Sequence, residues 1–343
     1  MKKRIFAITG IGGHLGSTIA HDLLMQGETV RGFYLPNEKN IVPGTSVYYG
    51  DVTKPATLVP FLLHRPDEEI ILIHCAALIS ISKHVSKRVY DVNVTGTENV
   101  VEIAKALGVK RLVHVSSVHA IEEPPKGTQI VETKHFDPRL VHCEYAKTKA
   151  EATNYVLNAE TDIFEVVVVH PSGIIGPGYT QAGDFLSHVI TMYLAGKLKV
   201  AVKGGYDFVD VRDVADGVIS AALNGRSGET YILAGGYYTI KEITDLLSKI
   251  TDLKPTKVFL APKFVRSVAW IVEWYYKVKK QTPLFTAYSM STLEANADFS
   301  TKKAHLELGY NPRPLISTLA DTVNEAKTKA TIKGFTVKKS KKN

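Results

Sequence analysis

The sequence predicts a doubly wound α/β fold around a parallel sheet, and three observations carry that expectation. Short Val- and Ile-rich runs alternate with segments of helical periodicity through the first half of the chain. The run Ile70-Ile71-Leu72-Ile73 lacks polar alternation, as a strand buried on both faces does. A glycine-rich turn, Thr9-Gly10-Ile11-Gly12-Gly13-His14-Leu15-Gly16, joins the first apolar run to the first helical segment.

Taken in order, residues 4–8 read as the first strand and 17–26 as the first helix, closed by Gly27. Residues 29–34 and 46–49 are the next strands, the latter ending at Gly50-Asp51-Val52. A helix over 55–64 leads to a strand over 69–74, the loop Ala76-Ala77-Leu78, a long helix over 85–107 and a strand over 111–115. A loop rich in Pro and charge, 122–139, precedes a helix over 144–159 and a strand over 166–170, ended by Pro171. Alternation of this kind specifies right-handed βαβ units. Beyond Ser172 the texture changes to short elements, with strands at 208–211 and 231–233 and a helix at 240–250. The expected organisation is a dinucleotide-binding-type domain over 1–171, then a smaller, mostly C-terminal substrate-binding region over 172–325 with segments returning to the main sheet. A basic, disordered tail over 326–343 ends the chain. Residues 263–280 carry apolar side chains at helical spacing, which reads as an amphipathic helix packed on the body.

Composition narrows the function classes. With 45% hydrophobic and 22% charged residues, the 343-residue chain reads as an ordinary soluble protein. No apolar run approaches the roughly 20 residues a membrane helix needs, so no stable membrane insertion is expected. Met1-Lys2-Lys3-Arg4 runs straight into a strand, unlike a signal peptide. Cys75 and Cys143 make no disulfide framework, and a cytoplasmic location is expected. The net charge of +8 is concentrated in seven lysines after Glu325, leaving the remainder near neutral. No nucleic-acid partner is expected; the partner is a small-molecule substrate, and a homodimer is compatible with the sequence.

Three signals carry chemistry. The glycine turn places unpaired N–H groups and the positive end of a helix where a pyrophosphate fits. Gly10 suits the sharp turn, Gly13 the approach of backbone to phosphate, and Gly16 close packing of helix on strand. Tyr145 and Lys149 stand four apart and share one helix face, and an ammonium one turn away favours a phenolate. Ser117, in Val115-Ser116-Ser117, stands at the C-terminal end of the fifth strand, the edge where open parallel sheets bind ligands. Each has a plainer reading: an empty glycine turn, a surface Tyr-Lys pair, a serine capping a turn. Together they converge on one edge of the sheet.

With these motifs the chain resembles the extended short-chain dehydrogenase/reductase superfamily, also described as the NAD-dependent epimerase/dehydratase family. Its marks include the glycine turn, Gly50-Asp51-Val52, His74-Cys75-Ala76-Ala77, Asn93-Val94-Thr95-Gly96-Thr97 and Val115-Ser116-Ser117. Tyr145-x-x-x-Lys149, Pro171-Ser172-Gly173-Ile174-Ile175-Gly176-Pro177 and Phe208-Val209-Asp210-Val211 continue it, so that it covers residues 4–325. The likeness is closest to the dihydroflavonol-reductase-like and 3β-hydroxysteroid-dehydrogenase-like branch. It implies a Rossmann sheet and an NAD(P)-dependent oxidoreductase of alcohol or carbonyl groups. In that frame Tyr145 is the acid-base, Lys149 lowers its pKa and holds the nicotinamide ribose, and Ser117 binds the reacting carbonyl. Gly10, Gly13, His14, Leu15, Gly16, Arg31, Asp51, Val52, Ala76, Ala77, Asn93, Tyr145, Lys149 and Pro171 are the implied cofactor residues. His14 stands where the family carries an aromatic and fills space there; His119, His142 and Cys143 lie near the site as loop residues. No metal-ligand spacing is present.

A slight preference for NADP(H) over NAD(H) is expected, because Tyr34-Leu35 ends the second strand without a carboxylate and Arg31 and Lys39 lie nearby. The expected substrate is small or hydrophobic: Ser172 follows Pro171 where nucleotide-sugar relatives carry Asn, and Tyr206 stands where they place an Arg clamp. The alternatives are a nucleotide-sugar epimerase or dehydratase on the same fold, with Arg212 as a substitute clamp, and a non-catalytic dinucleotide-binding regulator.

Overall fold

The computed structural model describes residues 2–80, 86–178, 185–265 and 292–332. A sheet of seven strands forms its centre: β1 (Lys3–Thr9), β2 (Thr29–Tyr34), β3 (Ser46–Tyr49), β4 (Glu68–His74), β5 (Arg111–Val115), β6 (Glu165–Pro171) and, later in the chain, β10 (Glu229–Leu233). Their order is β10-β6-β5-β4-β1-β2-β3, and every pairing is parallel. Side-chain alternation feeds two cores. Phe6, Ile8, Ile71, Ile73, Val113 and Val167 point to one face, under α1 (His14–Met25) and α7 (Val211–Asn224). Ile5, Ala7, Ile70, Leu72, Leu112 and Val166 point to the other. That second face is covered by α2 (Val59–Leu62), α4 (Gly96–Ala106) and α5 (Glu144–Asn158). Burial on both sides is why these strands read as unbroken apolar runs.

Beyond Pro171 the chain builds a smaller body. β7 (Gly173–Ile175), β9 (Gly205–Asp210) and β11 (Tyr237–Thr239) form a three-stranded sheet, and β8 (Val200–Val202) pairs with β12 (Val258–Leu260). Helices α6 (Phe185–Leu194), α8 (Ile240–Thr251) and α10 (Leu315–Ile332) contribute to its separate core, which includes Ile243, Leu247, Leu315, Leu319 and Val323. The chain returns to the main body through β10, α7 and α9 (Lys302–Leu308). Arg212 bonds Asp210 at 2.7 Å and Asp321 of α10 at 2.8 Å, and Arg313 bonds Asp213 at 2.8 Å. These pairs join the last helix to α7.

Four expectations change. The first helix starts at His14, not residue 17, because Gly13 is its extended N-cap and the end of the glycine turn is already helical. The segment 55–64 divides into a 3₁₀ turn, Pro55–Thr57, and the short α2, which stops before Arg65-Pro66. The segment 85–107 is helical from α3 (Lys87–Tyr90) through α4 but widens into a π-helical turn, Asp91–Thr95. Residues 326–332, expected to belong to a disordered tail, are instead the end of α10, which continues to Ile332; the rest of that tail, and almost all of the expected helix at 263–280, lie outside the described residues.

Leu319 is fully buried where α10 closes the smaller core. Leu319→Ala should cost about 2–5 kcal/mol in denaturant unfolding; a loss under about 1 kcal/mol would show that α10 is not integral to that core.

Candidate active site

The order of the sheet reverses at β1, which lies between β2 and β4. This is the position where open α/β sheets bind ligands beyond their carboxyl ends. Gly10 has φ +67°, and a Cβ there would stand 2.7 Å from the Ala76 nitrogen, so the turn after β1 lies against the loop after β4. Thr9 cements this contact: its Oγ1 is 2.7 Å from His74 Nδ1 and accepts from Ala76 N at 3.3 Å. A Cβ on Gly16 would come 2.4 Å from Gly10 O, which brings α1 tight under the turn. The N-cap Gly13 supplies no side chain, and the first turn of α1 holds no acid. The first-turn N–H groups are therefore left without a side-chain cap or a neighbouring acid, which suits a pyrophosphate. His14 Nε2 approaches Pro177 O at 3.4 Å, tying the turn to the loop after β7, and Leu15 is buried beneath it.

The remaining expected cofactor residues divide into two groups. Asp51 Oδ1 accepts from Thr53 N and Oγ1 at 3.0 and 2.8 Å, forming a turn at the end of β3, and Val52 packs against Gly96. Ala76 and Ala77 are half-buried after β4, and Pro171 ends β6 beside Leu233. Asn93, in the π-helical turn, accepts from Leu78 N at 2.8 Å and donates to Leu78 O and to Thr148 Oγ1 of α5 at 3.0 and 3.1 Å. It locks the loop after β4 to the helix that carries Tyr145 and Lys149. Arg31 is a correction. Its guanidinium donates to Leu63 O at 2.7 Å and pairs with Glu68 at 3.3 Å, toward the opposite end of β4. Arg31 therefore does not face the glycine turn. The carboxylate there is one the sequence analysis missed: Glu38 Oε2 lies 2.8 Å from where a Cβ on Gly12 would stand. The turn residues Pro36-Asn37 were the available signal, since they fold the chain back after β2.

Ser117, Tyr145 and Lys149 converge at the ends of β5 and α5, all of them buried. Ser117 caps a 3₁₀ turn, Val118–Ala120, by accepting from His119 N at 3.2 Å, and its carbonyl bonds His170 Nδ1 at 3.0 Å. Burial pushes the Tyr145 phenol above its ordinary pKa, and Cys143 adds to the rise; a hydrogen bond with the Ser117 side chain pulls it down. Lys149 Nζ donates to Val115 O at 2.8 Å, and burial presses its pKa from 10.5 down to about 8. The helix spacing thus puts tyrosine and lysine on one face, but here the group relieving the phenol is Ser117 and the ammonium is spent on a carbonyl.

An aromatic wall adjoins Tyr145. The His119 ring meets Tyr145 edge-on at 6.4 Å and stacks on Tyr206 at 5.7 Å, with Nε2 and the Tyr206 hydroxyl 3.2 Å apart. Burial holds His119 near pKa 4, hence neutral. Phe208 and Phe299 pack edge-on against Tyr206 at 6.1 and 6.4 Å. Asp207 is turned inward, where Ser172 Oγ donates to it at 2.5 Å and Gly235 N at 2.9 Å; burial lifts it to about 6. Among the described residues, no cluster of His, Cys, Asp and Glu could hold a metal ion, and no helix is long and apolar enough to cross a membrane.

A doubly wound sheet with a glycine turn at its switch point defines a dinucleotide-binding protein of the short-chain dehydrogenase/reductase type. Residues 6–234 match the model of the NAD dependent epimerase/dehydratase family, and the chain belongs to that family of enzymes. It is 28% identical to "Sterol demethylase protein B" of Methylococcus capsulatus over 92% of this chain and 96% of that protein. It is 26% identical to a 3-beta-hydroxysteroid dehydrogenase of Mycolicibacterium neoaurum, over 89% and 86% of the two chains. The crystal structure of gox2253 superposes with a TM-score of 0.80 at 28% identity, covering 95% of this chain and 98% of that one.

The buried lysine has a measurable signature. Its folded pKa lies below its unfolded value, so the unfolded chain holds this proton more tightly. The cost is fully present below about pH 8 and is relieved as pH rises toward the ordinary value of about 10.4. Unfolding midpoints compared with Lys149→Met between about pH 7 and 9.5 should show wild type gaining on the variant as pH rises; a constant gap would refute a charged, buried Lys149.

Proposed function

We propose that this chain is an NAD(P)-dependent oxidoreductase that interconverts an alcohol and a carbonyl on a small or hydrophobic substrate. The observation that carries the reading is the convergence of buried Ser117, Tyr145 and Lys149 at the carboxyl edge of the sheet, with the Ser117 side chain bonded to Tyr145. The turn Gly10–Gly16 would hold the dinucleotide, which when bound would supply or accept hydride. Ser117 holds the substrate oxygen, and Tyr145 gives or takes its proton. Lys149 keeps a positive charge beneath the pair and orients the nicotinamide ribose, while Asn93 holds the loop after β4 to their helix. Water exclusion by the surrounding burial strengthens these bonds.

The aromatic wall favours an apolar substrate body. Tyr206, Phe208 and Phe299 offer ring faces and edges, and the neutral His119–Tyr206 pair offers polarity without charge. The names of the relatives, a sterol demethylase protein and a 3-beta-hydroxysteroid dehydrogenase, support the same class. A diphosphate substrate is less well served, since Arg212, the substitute clamp, is bound to Asp210 and Asp321.

The test is a panel of sterol-type and smaller alcohols and ketones, followed by nicotinamide absorbance with both cofactors, beside calorimetry with UDP and dTDP. Turnover of the apolar substrates is expected; micromolar binding of either nucleotide without any ketone reduction would transfer the chain to the epimerase reading. Tyr145→Phe should lower kcat about 100-fold or more while leaving dinucleotide affinity near wild type. Near-normal turnover in that variant would remove Tyr145 from the chemistry.

A further inference from the structure

We propose that Glu38 sets the nucleotide preference of this site and sets it toward NAD(H). The inference rests on the dinucleotide reading above and replaces the expectation of NADP(H). The position directly after β2, where an acid for the ribose is sought, holds Leu35, which is 47% exposed. The chain then reverses: Glu38 N donates to Leu35 O at 2.9 Å across Pro36-Asn37. This brings the Glu38 side chain back over the glycine turn.

The two carboxylate oxygens have separate tasks. Oε1 accepts from the backbone N–H groups of Lys39 and Asn40, each at 2.9 Å, and so fixes the loop. Oε2 is the oxygen set against Gly12, in the space a side chain at that position would fill. Asn40 Nδ2 donates to Gly12 O at 2.8 Å and pins the loop to the turn from the other side. A pre-positioned carboxylate beside this turn accepts hydrogen bonds from the vicinal hydroxyls of a ribose. Adding a 2′-phosphate would remove a donor and bring like charge to the same place. Arg31, which was to receive that phosphate, is bonded to Glu68 and Leu63 O instead.

The experiment is fluorescence titration of the full chain with NADH and with NADPH, in wild type, Glu38→Gln and Leu35→Arg. NADH should bind wild type at least about 10-fold more tightly than NADPH, the smaller end of what a charged hydrogen bond contributes. Glu38→Gln retains an acceptor for the Lys39 and Asn40 amides, so its loop keeps its shape, and circular dichroism checks this. It should lose about 10- to 100-fold in NADH affinity and close the gap between the cofactors. Leu35→Arg keeps Glu38 and adds a cation, and should gain only for NADPH. Equal binding of the two by wild type, or unchanged preference in a folded Glu38→Gln, overturns the role of Glu38. NADPH binding more tightly, with the preference lost in Lys39→Ala, would reassign the site to Lys39. Binding of neither nucleotide would instead defeat the dinucleotide reading itself.

Discussion

The close approach of the turn after β1 to the loop after β4 is the constraint on which the site depends. Gly10 lies against the backbone of Cys75 and Ala76, and no side chain fits between them. That contact fuses the glycine turn to the loop whose other end Asn93 holds, and through Asn93 to Thr148 on α5. The glycine turn, the loop after β4 and the helix that carries Tyr145 and Lys149 are therefore linked as one unit. Rigidity of this kind is what orientation of two reactants requires.

The same edge of the sheet carries an unusual load of buried polarity. His74 is bonded through both ring nitrogens, to Thr9 and Thr97, and burial lowers it to about pKa 3. His114 lies 5.4 Å from it, ring to ring, and neither of its nitrogens has a partner among the described residues. Lys149 pushes all three of His74, His114 and His170 further toward the neutral form. Burial is what chiefly keeps these histidines uncharged, and the nearby cation adds to it, because a second charge in the same low-dielectric region would be expensive. Burial presses Lys149 itself toward neutrality, to about pKa 8, while its Nζ donates to Val115 O.

Most of this was legible in the order of residues. The strand runs and the helix carrying Tyr145 and Lys149 follow from local periodicity, which burial on both faces imposes directly on composition. Gly10 and Gly16 were legible for the same reason: each position has a geometric requirement that only one residue type meets. What could not be read were distances across the fold. Arg31 looked like a phosphate ligand because it neighbours the right strand end, yet its long side chain runs toward Glu68. Glu38 drew no expectation, since it lies beyond that strand end, yet a tight reversal returns it to Gly12.

By itself, then, the sequence determined the doubly wound sheet, the glycine turn and the pairing of Tyr145 with Lys149 on one helix face, since each depends on neighbours within about one helical turn or strand pleat. The tertiary structure alone decided which charges face the crevice. It sent Arg31 to Glu68, Arg212 to Asp210 and Asp321, and Lys149 to Val115 O, and it brought Glu38 to the turn and His119 onto Tyr206. The reason is reach: long side chains choose among partners that lie far apart in the chain, and only packing settles which partner is within bonding distance.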